Sequence, residues 1–197
     1  LVGSEMCIRD RNGVSPLTLG KCTNVIFPDE GLDIMVISTE NLRKLRLGET
    51  ENTIYAEAGV SLAKLAQFAR DNGLSGLEFA SGIPGSVGGG VLMNAGAYGG
   101  EMKDVLESVT VLTGEGKIIE LGRNELELGY RTSVIAKKGY IVLGAVLKLE
   151  RGDGEKIKTY MDELKEESET LDDHPKPYGT TENSPDFPAE GKFTPPY

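Results

Sequence analysis

The segment from Ala80 to Gly100, ASGIPGSVGGGVLMNAGAYGG, carries eight glycines in twenty-one residues. Glycine loses more backbone freedom on folding than any other residue, so such a density is costly unless the chain must come close to something. Gly82, Ile83, Pro84 and Gly85 lead into Ser86, Val87, Gly88 and Gly89, and the stretch VLMNAGA beyond them is apolar enough for a short buried helix. That order predicts Gly85 to Gly89 at a helix N-terminus. Unpaired amides and the positive end of the helix dipole there would form a site for a pyrophosphate without net positive charge. A glycine-rich turn kept only for packing gives the same string, and both readings stand at this point.

A second loop has related chemistry. Leu19 to Asn24, LGKCTN, follows the strand-like PLTLG and presents Gly20, Lys21, Cys22, Thr23 and Asn24. Its small polar side chains favour turns and can donate to phosphate oxygens. Taken alone it is also an ordinary strand-ending turn.

The elements that must position these loops are short apolar runs punctuated by glycine. PLTLG, IMVIST and TIYAEAG read as strands, and VSLAKLAQFARDNG after the last reads as a helix. Ser61 is its predicted cap, Leu62, Leu65, Ala66 and Ala69 its apolar face, and Gly73 after Asn72 its left-handed stop. LESVTVLTGEGKIIELG alternates about TGEG as a hairpin does, and YIVLGAVLKLER reads as a long buried strand. From Gly154 to Thr170 an acidic amphipathic helix is predicted, with Ile157, Tyr160, Met161 and Leu164 inward and DELKEESE solvated. Residues 1–11 have no periodicity and read as a non-native leader, and 177–197 read as a disordered or non-native tail.

Composition narrows the chemistry further. A formal charge of −10 over 197 residues argues against nucleic acid and anionic membranes as partners, since both are gripped by clustered Lys and Arg. Two cysteines form neither a disulfide framework nor a metal set, and no apolar run is long enough to cross a bilayer, so a cytoplasmic protein without a metal is expected. The single histidine, His174, lies in the proline-rich tail, so proton transfer falls to Ser, Tyr, Lys or a carboxylate.

GIPGSVGGGVLMNAGAYGGEM, with LGKCTN and DEG before it and GYRTS after it, resembles the UDP-N-acetylenolpyruvoylglucosamine reductase (MurB) family of flavoenzymes across roughly Gly13 to Lys176. The resemblance implies an α+β, FAD-binding fold of the vanillyl-alcohol-oxidase (PCMH) type with two subdomains. The first would include 12–58, the second 59–153, with 154–176 a linking helix and the C-terminal substrate domain missing. It implies that FAD is held by Gly20 to Asn24, by Gly82 to Gly89, and by Asn94, Gly96, Ala97, Tyr98 and Tyr130. Cys22 and Thr23 stand where the family usually has glycine and serine.

It further implies that NADPH reduces the flavin, which in turn reduces a UDP-sugar enolpyruvyl substrate in peptidoglycan precursor synthesis. Arg131, beside Tyr130 in the Tyr-Arg-x-Ser motif, would be the fixed cation near the developing enolate, a role suited to a planar and permanently charged group. Outside that context Arg131 is a surface arginine, Tyr130 a core aromatic and Ser133 a turn residue. The family's proton-donating serine lies in a Gly-Ser-x-Phe-Lys motif that this sequence does not contain. Two other readings remain. One is a related FAD-linked oxidase, which often tethers flavin through a histidine that the glycine loop here lacks; the other is a non-catalytic FAD-binding fragment.

Overall fold

The structure, a computed structural model, describes residues 16–31 and 33–172. The leader read at 1–11, the tail read at 177–197 and His174 lie outside the described residues. Two three-residue strands, β1 (Leu17–Leu19) and β2 (Val36–Ser38), pair in parallel. The strands β3 (Leu45–Leu47) and β4 (Thr53–Glu57) then form an antiparallel pair in which Leu47 faces Ile54.

Helix α1 (Leu62–Asp71) begins and ends where its sequence signals place it. The Ser61 hydroxyl accepts from the Lys64 amide at 3.3 Å, Leu62, Leu65, Ala66 and Ala69 are buried, and Gly73 follows with φ 64°. A two-residue strand β5 (Leu74–Ser75) and a 3-10 turn over Glu78–Ala80 lead to helix α2 (Val87–Leu92). A small hairpin of β6 (Gly96–Ala97) and β7 (Gly100–Glu101) follows, then the single turn α3 (Met102–Val105).

The strands β8 (Leu106–Leu112) and β9 (Ile118–Gly122) form the predicted hairpin. Its turn is closed by the Gly116 amide on the Thr113 carbonyl at 3.0 Å, with Gly116 at φ 78°. After helix α4 (Val134–Lys138), the predicted long strand is β10 (Ile141–Lys148), followed by β11 (Glu150–Arg151), which pairs with β5. Helix α5 (Gly154–Asp172) closes the described chain. Ile157, Met161 and Leu164 are buried on its inner face against α1 and the 3-10 turn. Tyr160, expected on that face, is 45% exposed, at the i+3 edge of the stripe that Ile157, Met161 and Leu164 make.

The main sheet is antiparallel with the order β3-β4-β10-β8-β9, so β10 lies in the middle and reads as a nearly unbroken apolar run. Strand pairing and core packing run across the expected boundary between 58 and 59. Residues 53–57 pair with 144–148, and Ile54, Leu65, Val87, Val109, Ile135 and Leu147 belong to one continuous core. Among the described residues, β1–β2, β5–β11 and β6–β7 form two-stranded sheets apart from the main one.

Candidate functional site

The glycine-rich segment divides between two uses. Helix α2 contains Gly88, Gly89 and Gly90 rather than following them, which shifts the predicted helix towards the N-terminus. Gly88 and Gly90 are buried. A Cβ on Gly88 would stand 2.9 Å from Ala58 Cβ, and one on Gly90 would stand 3.2 Å from the Leu62 side chain. Two of the glycines therefore let α2 lie against the connection between β4 and α1.

The amides expected to be open for an anion at this helix start are engaged. Val87 donates to the Val60 carbonyl and Gly88 to the Ala58 carbonyl, each at 2.8 Å, and Gly89 donates to the Ser86 hydroxyl at 3.4 Å. Val87 itself is a core side chain with no exposure. A cradle at this helix start must therefore come from the loop before it.

That loop meets the second one. The Thr23 hydroxyl donates to the Pro84 carbonyl at 2.8 Å, and a Cβ on Gly20 would fall 2.5 Å from Ser86 Oγ, so a side chain there would displace that hydroxyl where the two loops cross. Among the described residues, the amides of Lys21, Cys22, Thr23, Asn24, Gly85 and Ser86 donate to no protein acceptor. Gly82 and Gly89 face outward, Gly82 with nothing within 4 Å of where a Cβ would sit. Ile83 is partly buried against the core. Two adjacent loops with open amides and small side chains can hold a diphosphate by backbone donation, in keeping with the acidic charge of the chain.

Cys22 holds a left-handed backbone, φ 55°, with its exposed thiol 3.6 Å from the Gly20 carbonyl oxygen. A glycine adopts that conformation without a Cβ penalty.

The remaining expected residues gather at the other end of α2. Asn94 is 5% exposed and its amide is consumed internally. It donates to Glu101 Oε2 at 2.6 Å and to the Gly129 carbonyl at 3.2 Å, and accepts from the Lys103 amide at 2.9 Å. Both of its side-chain hydrogens are thus spent within the protein. Gly96 and Ala97 pair with Glu101 and Gly100, and Tyr98 and Gly99, both at positive φ, form the turn between them, with Tyr98 39% exposed.

Tyr130 and Arg131 form a two-residue turn closed by Gly129 and Thr132, whose backbones exchange bonds of 3.1 and 3.3 Å. Tyr130 is 89% exposed, so it is not the core aromatic that was one of its two readings. The Arg131 guanidinium lies 5.9 Å from the Tyr130 ring centroid and makes no ion pair among the described residues. Ser133 is wholly buried and caps α4, accepting from the Ala136 amide at 3.2 Å while donating to the Leu92 carbonyl at 2.8 Å. No hydrogen bond or ion pair joins this turn to Gly20–Asn24 among the described residues.

Three residues that sequence reasoning passed over support these segments. Glu78, buried, accepts from the Ser75 hydroxyl and the Gly76 amide, each at 2.8 Å, and so fixes the approach to Gly82. Glu101 and Lys103 pair at 2.8 Å beside Asn94. The Lys103 ammonium, hydrogen-bonded to Glu101, holds that carboxyl below the usual range, with the Asn94 amide adding to the effect, and Lys103 is raised in return. An acid followed two residues later by a lysine was the only local signal for the pair.

The FAD binding domain family matches residues 4–122. The chain is 47% identical over 153 residues to the UDP-N-acetylenolpyruvoylglucosamine reductase of Clostridium novyi (strain NT), covering 78% of this chain and 49% of that protein. It is 49% identical over 150 residues to the reductase of that name from Listeria innocua, covering 76% of this chain and 50% of that one. The crystal structure of UDP-N-acetylenolpyruvylglucosamine reductase (MurB) from Thermus caldophilus superimposes with a TM-score of 0.71 at 35% identity, over 82% of this chain and 59% of that chain. The chain spans about half the length of the curated relatives it matches. With an α+β fold shared with that structure and two glycine loops in the order the resemblance implies, the chain belongs to the FAD binding domain family, in the lineage of the UDP-N-acetylenolpyruvoylglucosamine reductases.

Proposed function

We propose that the chain is the FAD-binding part of a UDP-N-acetylmuramate dehydrogenase, a cytoplasmic, NADPH-dependent enzyme that reduces UDP-GlcNAc-enolpyruvate in peptidoglycan precursor synthesis. The observation that carries the reading is the crossing of the two loops at Thr23 and Pro84, which sets the open amides of 21–24 beside those of Gly85 and Ser86. This arrangement fits the pyrophosphate of FAD, because a dianion needs several fixed donors and this site supplies them without side-chain charge. The names of the reductase relatives and the match to the FAD binding domain family support the same assignment.

Bound FAD would supply the two-electron chemistry between NADPH and the enolpyruvyl double bond. The protein's own contribution lies in placement and charge. Lys21 to Asn24, Gly85 and Ser86 hold the diphosphate, and the outward Gly82 and Gly89 leave room for the cofactor to approach the backbone. Arg131, exposed and without an ion-pair partner among the described residues, is available to hold the substrate carboxylate and the negative charge that grows beside it.

The test is the visible absorption of the purified chain after incubation with FAD and removal of free cofactor. A retained flavin band is expected. A colourless protein that remains folded would remove the cradle assignment.

A further inference from the structure

Both feet of the Tyr130–Arg131 turn stand on the residues that end α2. Asn94 Nδ2 donates to the Gly129 carbonyl at one foot, 3.2 Å away, and Ser133 Oγ donates to the Leu92 carbonyl at the other, 2.8 Å away. The Asn94 amide cannot turn over without loss. The Lys103 amide occupies its oxygen at 2.9 Å, and Glu101 Oε2 takes its second hydrogen at 2.6 Å while the Glu101 carboxylate is itself held by Lys103.

Backbone strain gathers in the same two stretches. Of the six non-glycine residues at positive φ among those described, Asn94, Tyr98, Glu127 and Arg131 lie there. Such conformations persist only where surrounding contacts over-determine them, and they collect at functional sites. The opposite end of α2, only six residues away, is Ser86, against which Gly20 of the first loop is packed. One short helix therefore has the two crossing loops at its start and the arginine turn at its end.

We propose that Asn94 is a positioning residue: it ties the Tyr130–Arg131 turn to α2, so that the place of the Arg131 guanidinium and the occupancy of the loops at the other end of the helix are set together. The coupling to occupancy rests on the reading of those loops as an FAD cradle. The tie itself does not.

The experiment compares tryptic cleavage after Arg131 with cleavage after Lys117, at the exposed turn between β8 and β9, in the wild-type chain and in Asn94→Gly, each with and without FAD. Glycine accepts the left-handed backbone, so this variant removes the side chain without adding strain. Of the three side-chain hydrogen bonds lost, the one to Gly129 reaches the turn, and its loss should raise the open population there, and with it the Arg131-to-Lys117 cleavage ratio, about tenfold. FAD should slow cleavage at Arg131 in the wild type and not in Asn94→Gly, while flavin fluorescence titration gives affinities for the two that agree within about threefold.

An unchanged ratio in the variant would overturn the tie, and equal protection by FAD in both proteins would overturn the coupling. Loss of FAD affinity with an unchanged ratio would make Asn94 a cradle residue instead. If FAD binds neither protein, the cradle reading fails while the cofactor-free ratio still judges the tie. Should Asn94→Gly speed both cleavages alike, Asn94→Asp is read the same way, since it keeps the acceptor for Lys103 and loses both donations. Parallel acceleration in that variant too would overturn a tie specific to the turn.

Discussion

Cys22 occupies a left-handed position, φ 55°, for which an L-residue carries a penalty of about 1–2 kcal/mol. Part of that is offset when glycine replaces it, because the unfolded chain gains freedom. Cys22→Gly should still stabilise the chain, by about 0.5–1 kcal/mol, which a thermal melt reads as a rise of about 1–4 °C. A fall in the midpoint would show that the thiol, 3.6 Å from the Gly20 carbonyl, matters more to the loop than its backbone does. The Glu101–Lys103 pair makes a different prediction. A carboxyl held low by folding gives its full stabilisation above its unfolded value and loses it as pH falls through the folded one; an ammonium held high gives its full share below its unfolded value and loses it as pH rises through the folded one. The pair therefore contributes fully between ordinary values of 4.5 and 10.5, and less on either side. Glu101→Gln should flatten the acid limb of stability against pH, measured as urea midpoints from neutral pH downward. An identical limb in the variant would show that the carboxylate link does not survive in solution.

Helix α2 gives opposite expectations for adjacent glycines. An alanine in a helix interior is ordinarily better than glycine by about 1 kcal/mol. Gly89→Ala meets only the Ser86 hydroxyl at 3.7 Å and should be stabilising by up to about that amount. Gly88→Ala drives its Cβ to 2.9 Å from Ala58 and should be destabilising by about 1–3 kcal/mol in urea unfolding. Two stabilising substitutions would mean that α2 is not pressed against the β4–α1 connection. The same pair probes the cofactor, because a methyl on the outward face at 89 should weaken FAD retention without weakening the fold. This element also marks the limit of what could be read in advance. The Ser61 cap, the Gly73 stop and the TGEG turn were readable because each signal is local, within a few residues of its effect. The helical glycines were not, since helix propensity argues against them and the reason for Gly88 and Gly90 is the proximity of Ala58 and Leu62. The Asn94–Gly129 bond spans 35 residues and leaves no periodic trace, so no local signal announced it. The aromatic character of Tyr130 was equally silent about which way it faces.

For the molecule as a whole, a ligand that binds only the folded state raises stability as its concentration passes its dissociation constant, by about 2.7 kcal/mol at a hundredfold excess. For a chain of this length that is an upward shift of the melting temperature by about 5–10 °C, followed by circular dichroism at increasing FAD. A melt indifferent to FAD would remove the cofactor reading while leaving the fold intact. The partner of β4 was not legible around the division at 58 and 59, because a strand's partner is chosen by the sheet and not by the nearest sequence. β4 ends at Glu57, yet the register that buries it pairs Glu57 with Gly144 and Thr53 with Lys148. The ribosome therefore releases β4 long before the strand that completes it exists. Translation proceeds at about 5–20 residues per second, so β4, with only β3 beside it, waits for several seconds with one hydrogen-bonding edge open. The middle of this sheet is thus assembled last, after nearly all of the described chain has been made, and the nascent protein depends on its surroundings to keep that edge from other strands.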